Sequence, residues 1–224
     1  MLEGLELDHV FVCASSGEED TTKLIQFGVQ PGIGRVHVGQ GTANVCFFFD
    51  NAYLEVLWLH DEREIRSPVV ALLCLWERVR WRQSGACPFG IGFRPAANQT
   101  DAPEPAWEYA APYMPRGATI PILTPKSTPN EPLIFVLASS GGPPSDYPAE
   151  RVPILEHRGR QRRLAGIQID LPSSKLSGEL RGIVARGLIQ IRTGQSYRMT
   201  LRFEPSPSSA EVDFGPELPL SLEW

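Results

Sequence analysis

Two residues stand in surroundings that make them chemically notable. His9 lies in the middle of LELDHVFVCA and Glu55 in the middle of AYLEVLW, both otherwise apolar runs with strand alternation. A carboxylate in such a strand is costly to bury unless something pairs with it. Glu55 therefore either has its pKa pushed up or meets a cation, with Arg35 and Arg94 as candidates. A carboxylate tuned in this way is the kind of group that functional sites use. His9 reads as a hydrogen-bonded strand histidine or as a working imidazole.

The run from Arg35 to Trp58, RVHVGQGTANVCFFFDNAYLEVLW, carries His37, Gly39, Gly41, Thr42 and Asn44 ahead of an aromatic strand. Glycines there admit positive φ and close backbone approach to a ligand, and such a passage can present N–H groups to an anion. It lacks the spacing of a phosphate or dinucleotide loop. A tight crossover between strands and direct substrate contact by His37, Gly41, Thr42 and Asn44 both fit it. No Ser or Cys nucleophile occurs in a GxSxG-type context.

The elements that must position these residues follow from patterning. Residues 5–14 alternate as a strand with Leu7, His9, Phe11 and Cys13 on one face. Small hydroxyls followed by acids at 15–19 start a helix that Gly28 ends. Residues 35–38, 44–50 and 53–59 are strands, the last two joined at an Asp50-Asn51 turn. The order over 5–59 is thus β-α-β-β-β. Residues 68–83 read as one helix with Ser67 as N-cap and Pro68 in its first turn. Strands are expected at 88–94, 107–113, 118–123 and 133–138, with Pro-rich connections at 95–106 and 139–153. The last third repeats the opening order: a strand at 166–171, a Ser-capped helix at 173–186, and strands at 188–192, 197–203 and 218–222. The expected division is 1–62 for the first unit, 63–163 for a helix with extra strands, and 164–224 for a second unit, all in one structural domain. Trp58 alternates away from Glu55 into the core. Trp107, Tyr109 and Tyr113 are strand-packing residues that could also line a cavity.

Composition excludes several function classes. The chain of 224 residues is long enough for a sizeable core. Its net charge of −5 is the wrong sign for a nucleic-acid binder, and the basic run at 157–163 is short enough to be a solvated loop. No segment approaches the roughly 20 apolar residues of a membrane helix, and no basic start with an apolar run marks a signal peptide. The four cysteines, Cys13, Cys46, Cys74 and Cys87, show no CxxC spacing, which fits small core residues in a reducing, cytoplasmic setting.

LDHVFVCA, then HVGQGTAN, then AYLEVLW resemble the glyoxalase-like domain proteins of the vicinal oxygen chelate superfamily, which includes glyoxalases, extradiol dioxygenases and bleomycin resistance proteins. The close resemblance covers roughly residues 5–60. It implies an α+β fold in which paired βαβββ units form a curved, mostly antiparallel sheet around a cavity, the glyoxalase/bleomycin resistance fold. It also implies His9 and Glu55 as metal ligands for Zn²⁺, Ni²⁺, Mn²⁺ or Fe²⁺. Glu55 would in addition act as base on a small carbonyl- or oxygen-bearing molecule, in lyase, isomerase or dioxygenase chemistry. The second half departs from the pattern: 88–94 offers Gly90 or Gly92, 133–138 has no acid or His, and 166–171 offers only Gln168 or Asp170. That departure motivates the alternative of a metal-free module that binds or sequesters a small molecule. The expected partner is a small-molecule ligand, with neither nucleic acid nor membrane; homodimers are common in the superfamily.

Overall fold

The computed structural model describes residues 4–97, 105–137, 141–148, 150, 163–187, 189–204 and 210–224. The chain opens with β1 (Leu5–Cys13), α1 (Glu18–Phe27), β2 (Gly34–His37), β3 (Thr42–Phe48) and β4 (Tyr53–Leu59), the expected β-α-β-β-β. Asp20 serves the start of α1 by accepting from the Ser15 and Ser16 backbone N–H groups, and Gly28 ends the helix at φ 113°.

Four strands of the middle region complete the same sheet: β5 (Phe89–Pro95), β6 (Trp107–Tyr109), β7 (Ile120–Ile122) and β8 (Leu133–Val136). The strand order is β2-β3-β4-β1-β5-β8-β7-β6. β1 runs parallel to β4 and antiparallel to β5, while β5 runs parallel to β8. Strands β5 to β8 therefore repeat the order and sense of β1 to β4, giving two units side by side in a mostly antiparallel sheet. Element order pointed to residues 164–224 for the second unit. Those residues do hold β9 (Leu164–Leu171), α6 (Gly178–Val184), β10 (Gln190–Thr193), β11 (Arg198–Phe203), β12 (Glu211–Asp213) and β13 (Leu220–Glu223). They form a separate sheet, β10-β9-β11-β13-β12. Burial decides the pairing: β8 and nearly all of β5 are buried along their length, so they fit the centre of a sheet covered on both faces.

One face of the eight-stranded sheet carries Val10, Val12, Phe47, Val56, Ile91 and Ile134 and packs on Ile167, Ile169, Leu201 and Leu222 of the second sheet. The opposite face carries Phe11, Cys13, Leu57, Leu133 and Phe135 and is roofed by Ile65, Val70, Leu73, Leu75 and Val79. The roof was expected as one helix over 68–83. It is instead α2 (Glu62–Ile65), α3 (Pro68–Ala71), α4 (Leu75–Val79) and α5 (Trp81–Ser84), broken where Cys74 turns to φ 56°. The break accommodates Arg78, which is only 1% exposed and donates to the carbonyls of Leu73, Cys87, Thr128 and Glu131. A buried guanidinium needs that full set of acceptors. Among the described residues no helix is long and apolar enough to cross a membrane.

Strand β1 departs from simple alternation at one place. Leu7 faces Phe93 and His9 faces Gly92, so Asp8 is an extra residue in the ladder, a β-bulge. The bulge shifts the phase of the strand. Leu7 joins Leu5, Val10 and Val12 on the inter-sheet core, whereas alternation alone placed it with His9, Phe11 and Cys13. Across from this segment, Phe11 faces Gly90, and a Cβ on Gly90 would lie 2.0 Å from the Phe11 ring. Gly90→Ala is expected to destabilise the fold by about 1–3 kcal/mol in urea unfolding through overpacking. Gly166→Ala in β9, where a Cβ meets nothing within 4 Å, is expected to stay within about 0.5 kcal/mol of the parent. Equal midpoints for the two variants would contradict the steric account.

Candidate active site

The face beneath the helical roof encloses a cavity of about 390 Å³, the size that holds a small ligand. The bulge turns two successive residues, Asp8 and His9, toward it; both line the cavity. His9 Nδ1 donates to Asp8 Oδ1 at 2.7 Å, and both residues are buried. On the far side of the ring, His9 Nε2 is 3.6 Å from Glu55 Oε2. That separation is too long for a hydrogen bond and leaves both atoms available to a bound molecule. Glu55 Oε1 accepts from Asn44 Nδ2 at 2.5 Å, while Asn44 Oδ1 accepts from the Arg35 backbone N–H at 3.0 Å. The second bond fixes which way the amide points. Behind Asp8, Arg94 Nη1 lies 3.9 Å from Asp8 Oδ2, and Arg94 Nη2 bonds Glu6. Asn44 thus serves Glu55, and Arg94 serves Asp8.

Neighbouring rings hold the imidazole of His9. Tyr53 stacks on it at 4.4 Å between centroids and 13° between planes, and Phe135 meets it edge-on at 5.2 Å. A Cβ on Gly92 would come within 2.9 Å of His9 Cε1 and of Phe135 Cε2. Glycine at this point of β5 is what lets His9 and Phe135 share the wall. Burial holds the Tyr53 phenol well above the ordinary tyrosine range and pushes the Cys46 thiol up as well, so neither serves as a ready nucleophile.

A second polar group lines the cavity from β2. Thr42 Oγ1, fully buried, meets His37 Nδ1 at 3.0 Å and accepts from Gln40 Nε2 at 2.8 Å. Gln40 Oε1 accepts from the Tyr109 hydroxyl at 3.0 Å. The Tyr113 ring lies against His37 at 4.7 Å. Burial holds His37 below the usual histidine value; Arg35 and His9 act in the same direction and Glu55 opposes them.

The structure brings His9, Glu55, His37 and Asn44 to one cavity. Gly41 and Thr42, expected to touch substrate, do not line it. Gly41, at φ 77°, is needed because a Cβ would lie 2.4 Å from Asp61 O and Ile65 N. Thr42 stands behind His37. Tyr109 and Tyr113 line the cavity and Trp107 does not; its indole donates to Thr124 O instead. Asp8, Gln40 and Tyr147 were not anticipated. The only hint of Asp8 was two polar residues in succession within an apolar strand. Of the basic run at 157–163, residues 157–162 lie outside the described residues.

A resident divalent ion normally takes three or more protein ligands. Here His9 Nε2 and Glu55 Oε2 converge, but the facing residues of β5 and β8 are Gly90, Gly92, Leu133 and Phe135. Gln168 and Asp170 lie on β9 in the other sheet. Among the described residues no group of three His, Cys, Asp or Glu side chains is placed to hold a metal. Among the described residues the donor set does not reach that number.

Residues 7–106 match the family model described as a glyoxalase-like domain. The chain is also similar to the crystal structure of a hypothetical protein from Staphylococcus aureus, with a TM-score of 0.55 at 9% sequence identity over 97% of this chain and 98% of that one. At that identity the likeness concerns the fold alone, and it agrees with the glyoxalase/bleomycin resistance architecture. No curated protein matches the sequence.

The lowered His37 value has a consequence for stability. The unfolded histidine titrates near 6.5 and the folded one below it, so the unfolded chain binds more protons as pH falls through that window. The stabilising contribution is present above about pH 6.5 and lost below it. The urea midpoint is expected to fall between about pH 7.5 and pH 5.5, and to fall less in His37→Gln. An equal fall in both proteins would contradict a buried neutral His37.

Proposed function

With residues 7–106 a glyoxalase-like domain of the vicinal oxygen chelate superfamily, we propose that the protein acts on a small carbonyl-bearing molecule and that Glu55 is its general base. The observation that carries this reading is the line Asp8–His9–Glu55 in the cavity, with contacts of 2.7 and 3.6 Å. Asp8 holds the imidazole by Nδ1, and His9 presents Nε2 beside the Glu55 carboxylate. A carbonyl compound seated there places a C–H next to its carbonyl within reach of Glu55 Oε2. Glu55 takes that proton, and the electron pair moves into the enolate. Return of the proton to carbon, directly or at another position, gives isomerase chemistry; loss of a group from the neighbouring carbon gives lyase chemistry. Phe11, Leu57 and Phe135 supply apolar walls close to the carboxylate, where a charge is less screened than in water.

A second reading rests on the tyrosines. Tyr53, Tyr109, Tyr113 and Tyr147 all line the cavity and could enclose a flat molecule by stacking alone. Binding without turnover would then be the function.

The test is proton exchange. In D₂O, small ketones, aldehydes and oxo acids are incubated with the protein, and the loss of the C–H signal is followed by proton NMR. The wild type is expected to speed exchange of at least one compound, and Glu55→Gln to slow it by about 10²–10⁴-fold with its circular dichroism unchanged. Full exchange in Glu55→Gln contradicts the base reading. Tight binding with no exchange in either protein favours the second reading.

A further inference from the structure

Strand β2 is an edge of the eight-stranded sheet, and it presents Arg35 and His37 to the cavity. At positions i and i+2 their Cα atoms are about 7 Å apart on one face. Arg35 is the one Arg or Lys among the described lining residues. Its backbone N–H is bonded to Asn44, but among the described residues its guanidinium has no hydrogen bond or ion pair. It is exposed at the rim, close enough for its charge to be felt at His37, Cys46 and Tyr113 inside.

The hydrogen-bond network assigns the protons of His37. Tyr109 donates to Gln40 Oε1, which leaves the Gln40 Nε2 group donating to Thr42 Oγ1. Thr42 is fully buried, so its hydroxyl proton needs an acceptor, and His37 Nδ1 at 3.0 Å is the one present among the described residues. With Nδ1 accepting, the neutral imidazole carries its proton on Nε2. No partner within the described residues takes that N–H, although the residue as a whole is only 7% exposed.

We infer that the cavity is built for a small 2-oxo carboxylate, with Arg35 binding the carboxylate and His37 Nε2–H bonding the neighbouring oxo oxygen. A planar fork of N–H donors matches a carboxylate. Charge balance favours a monoanion. Asp8 is already served by His9 and Arg94, whereas a phosphate dianion would set its second charge against Glu55. A neutral N–H donor at the oxo oxygen would also stabilise the negative charge that develops there when the adjacent C–H is deprotonated. This inference rests on the cavity being the substrate site proposed above, but its test is a binding measurement.

The full chain is titrated by calorimetry with pyruvate, 2-oxobutyrate and phenylpyruvate. Phenylacetone (the ketone without the carboxylate) and phenylacetate (the carboxylate without the ketone) are the controls. The wild type is expected to bind at least one oxo acid more tightly than either control. Arg35→Gln should weaken oxo-acid binding by about 10–100-fold and leave phenylacetone unchanged. His37→Gln should weaken the oxo acids and leave phenylacetate unchanged. Glu55→Gln should bind the oxo acids at least as tightly as the wild type, because a negative charge has gone. No binding of any oxo acid by the wild type overturns the inference, as does wild-type affinity in Arg35→Gln. Oxo-acid binding that needs Arg35 without any proton exchange would sink the Glu55 base while leaving this inference standing. Exchange of neutral ketones independent of Arg35 would do the reverse.

Discussion

The hydrogen bond from His9 to Asp8 is the contact on which the site depends, and a backbone irregularity creates it. In a regular strand successive side chains point to opposite faces, so an Asp and a His in sequence could not both reach one cavity. The bulge between Leu7 and His9 removes that restriction. Leu7 turns to the inter-sheet core, Asp8 turns under His9, and the imidazole is held at Nδ1 with Nε2 facing Glu55. A carboxylate behind an imidazole sets the ring's orientation and which nitrogen is left to act. Arg94 and Asn44 extend the same logic outward by serving Asp8 and Glu55 in turn.

The two units of the eight-stranded sheet share strand order and not chemistry. The first supplies Asp8, His9, Arg35, His37, Asn44 and Glu55. The second supplies surface: Leu133, Phe135, Tyr109 and Ile122. Gly90 and Gly92 explain the asymmetry. Both lie opposite residues of β1 whose rings occupy the space a side chain would need, so β5 makes room for Phe11 and His9, and its one polar side chain, Arg94, serves Asp8 without lining the cavity. The result is a polar, charged side facing an apolar and aromatic one.

Much of this was legible in the sequence, for physical reasons. The opening β-α-β-β-β follows from alternation and from Gly28, and β4 falls at Tyr53–Leu59 as patterning indicates. His9 and Glu55 were visible because a buried polar group in an apolar strand needs an explanation, and the structure sets them 3.6 Å apart. The partner strands of the first unit were not legible, because local patterning carries no information about long-range pairing. Residues 164–224, expected to repeat β-α-β-β-β, hold β-α-β-β-β-β in a sheet of their own. The continuous helix at 68–83 failed because periodicity cannot show that Arg78 must turn inward to four carbonyl groups. The bulge escaped for a related reason: alternation assumes a regular ladder, and one extra residue reverses the face of everything before it.

The most direct test of this account is nitrogen-15 NMR of histidine-labelled protein, with the His9 signals assigned by their loss in His9→Gln. The account predicts that Nδ1 of His9 carries a proton held in a hydrogen bond and protected from exchange with water, and that Asp8→Ala removes this protection while the other histidines are unchanged. An unprotonated Nδ1, or a His9 spectrum indifferent to Asp8→Ala, would contradict it.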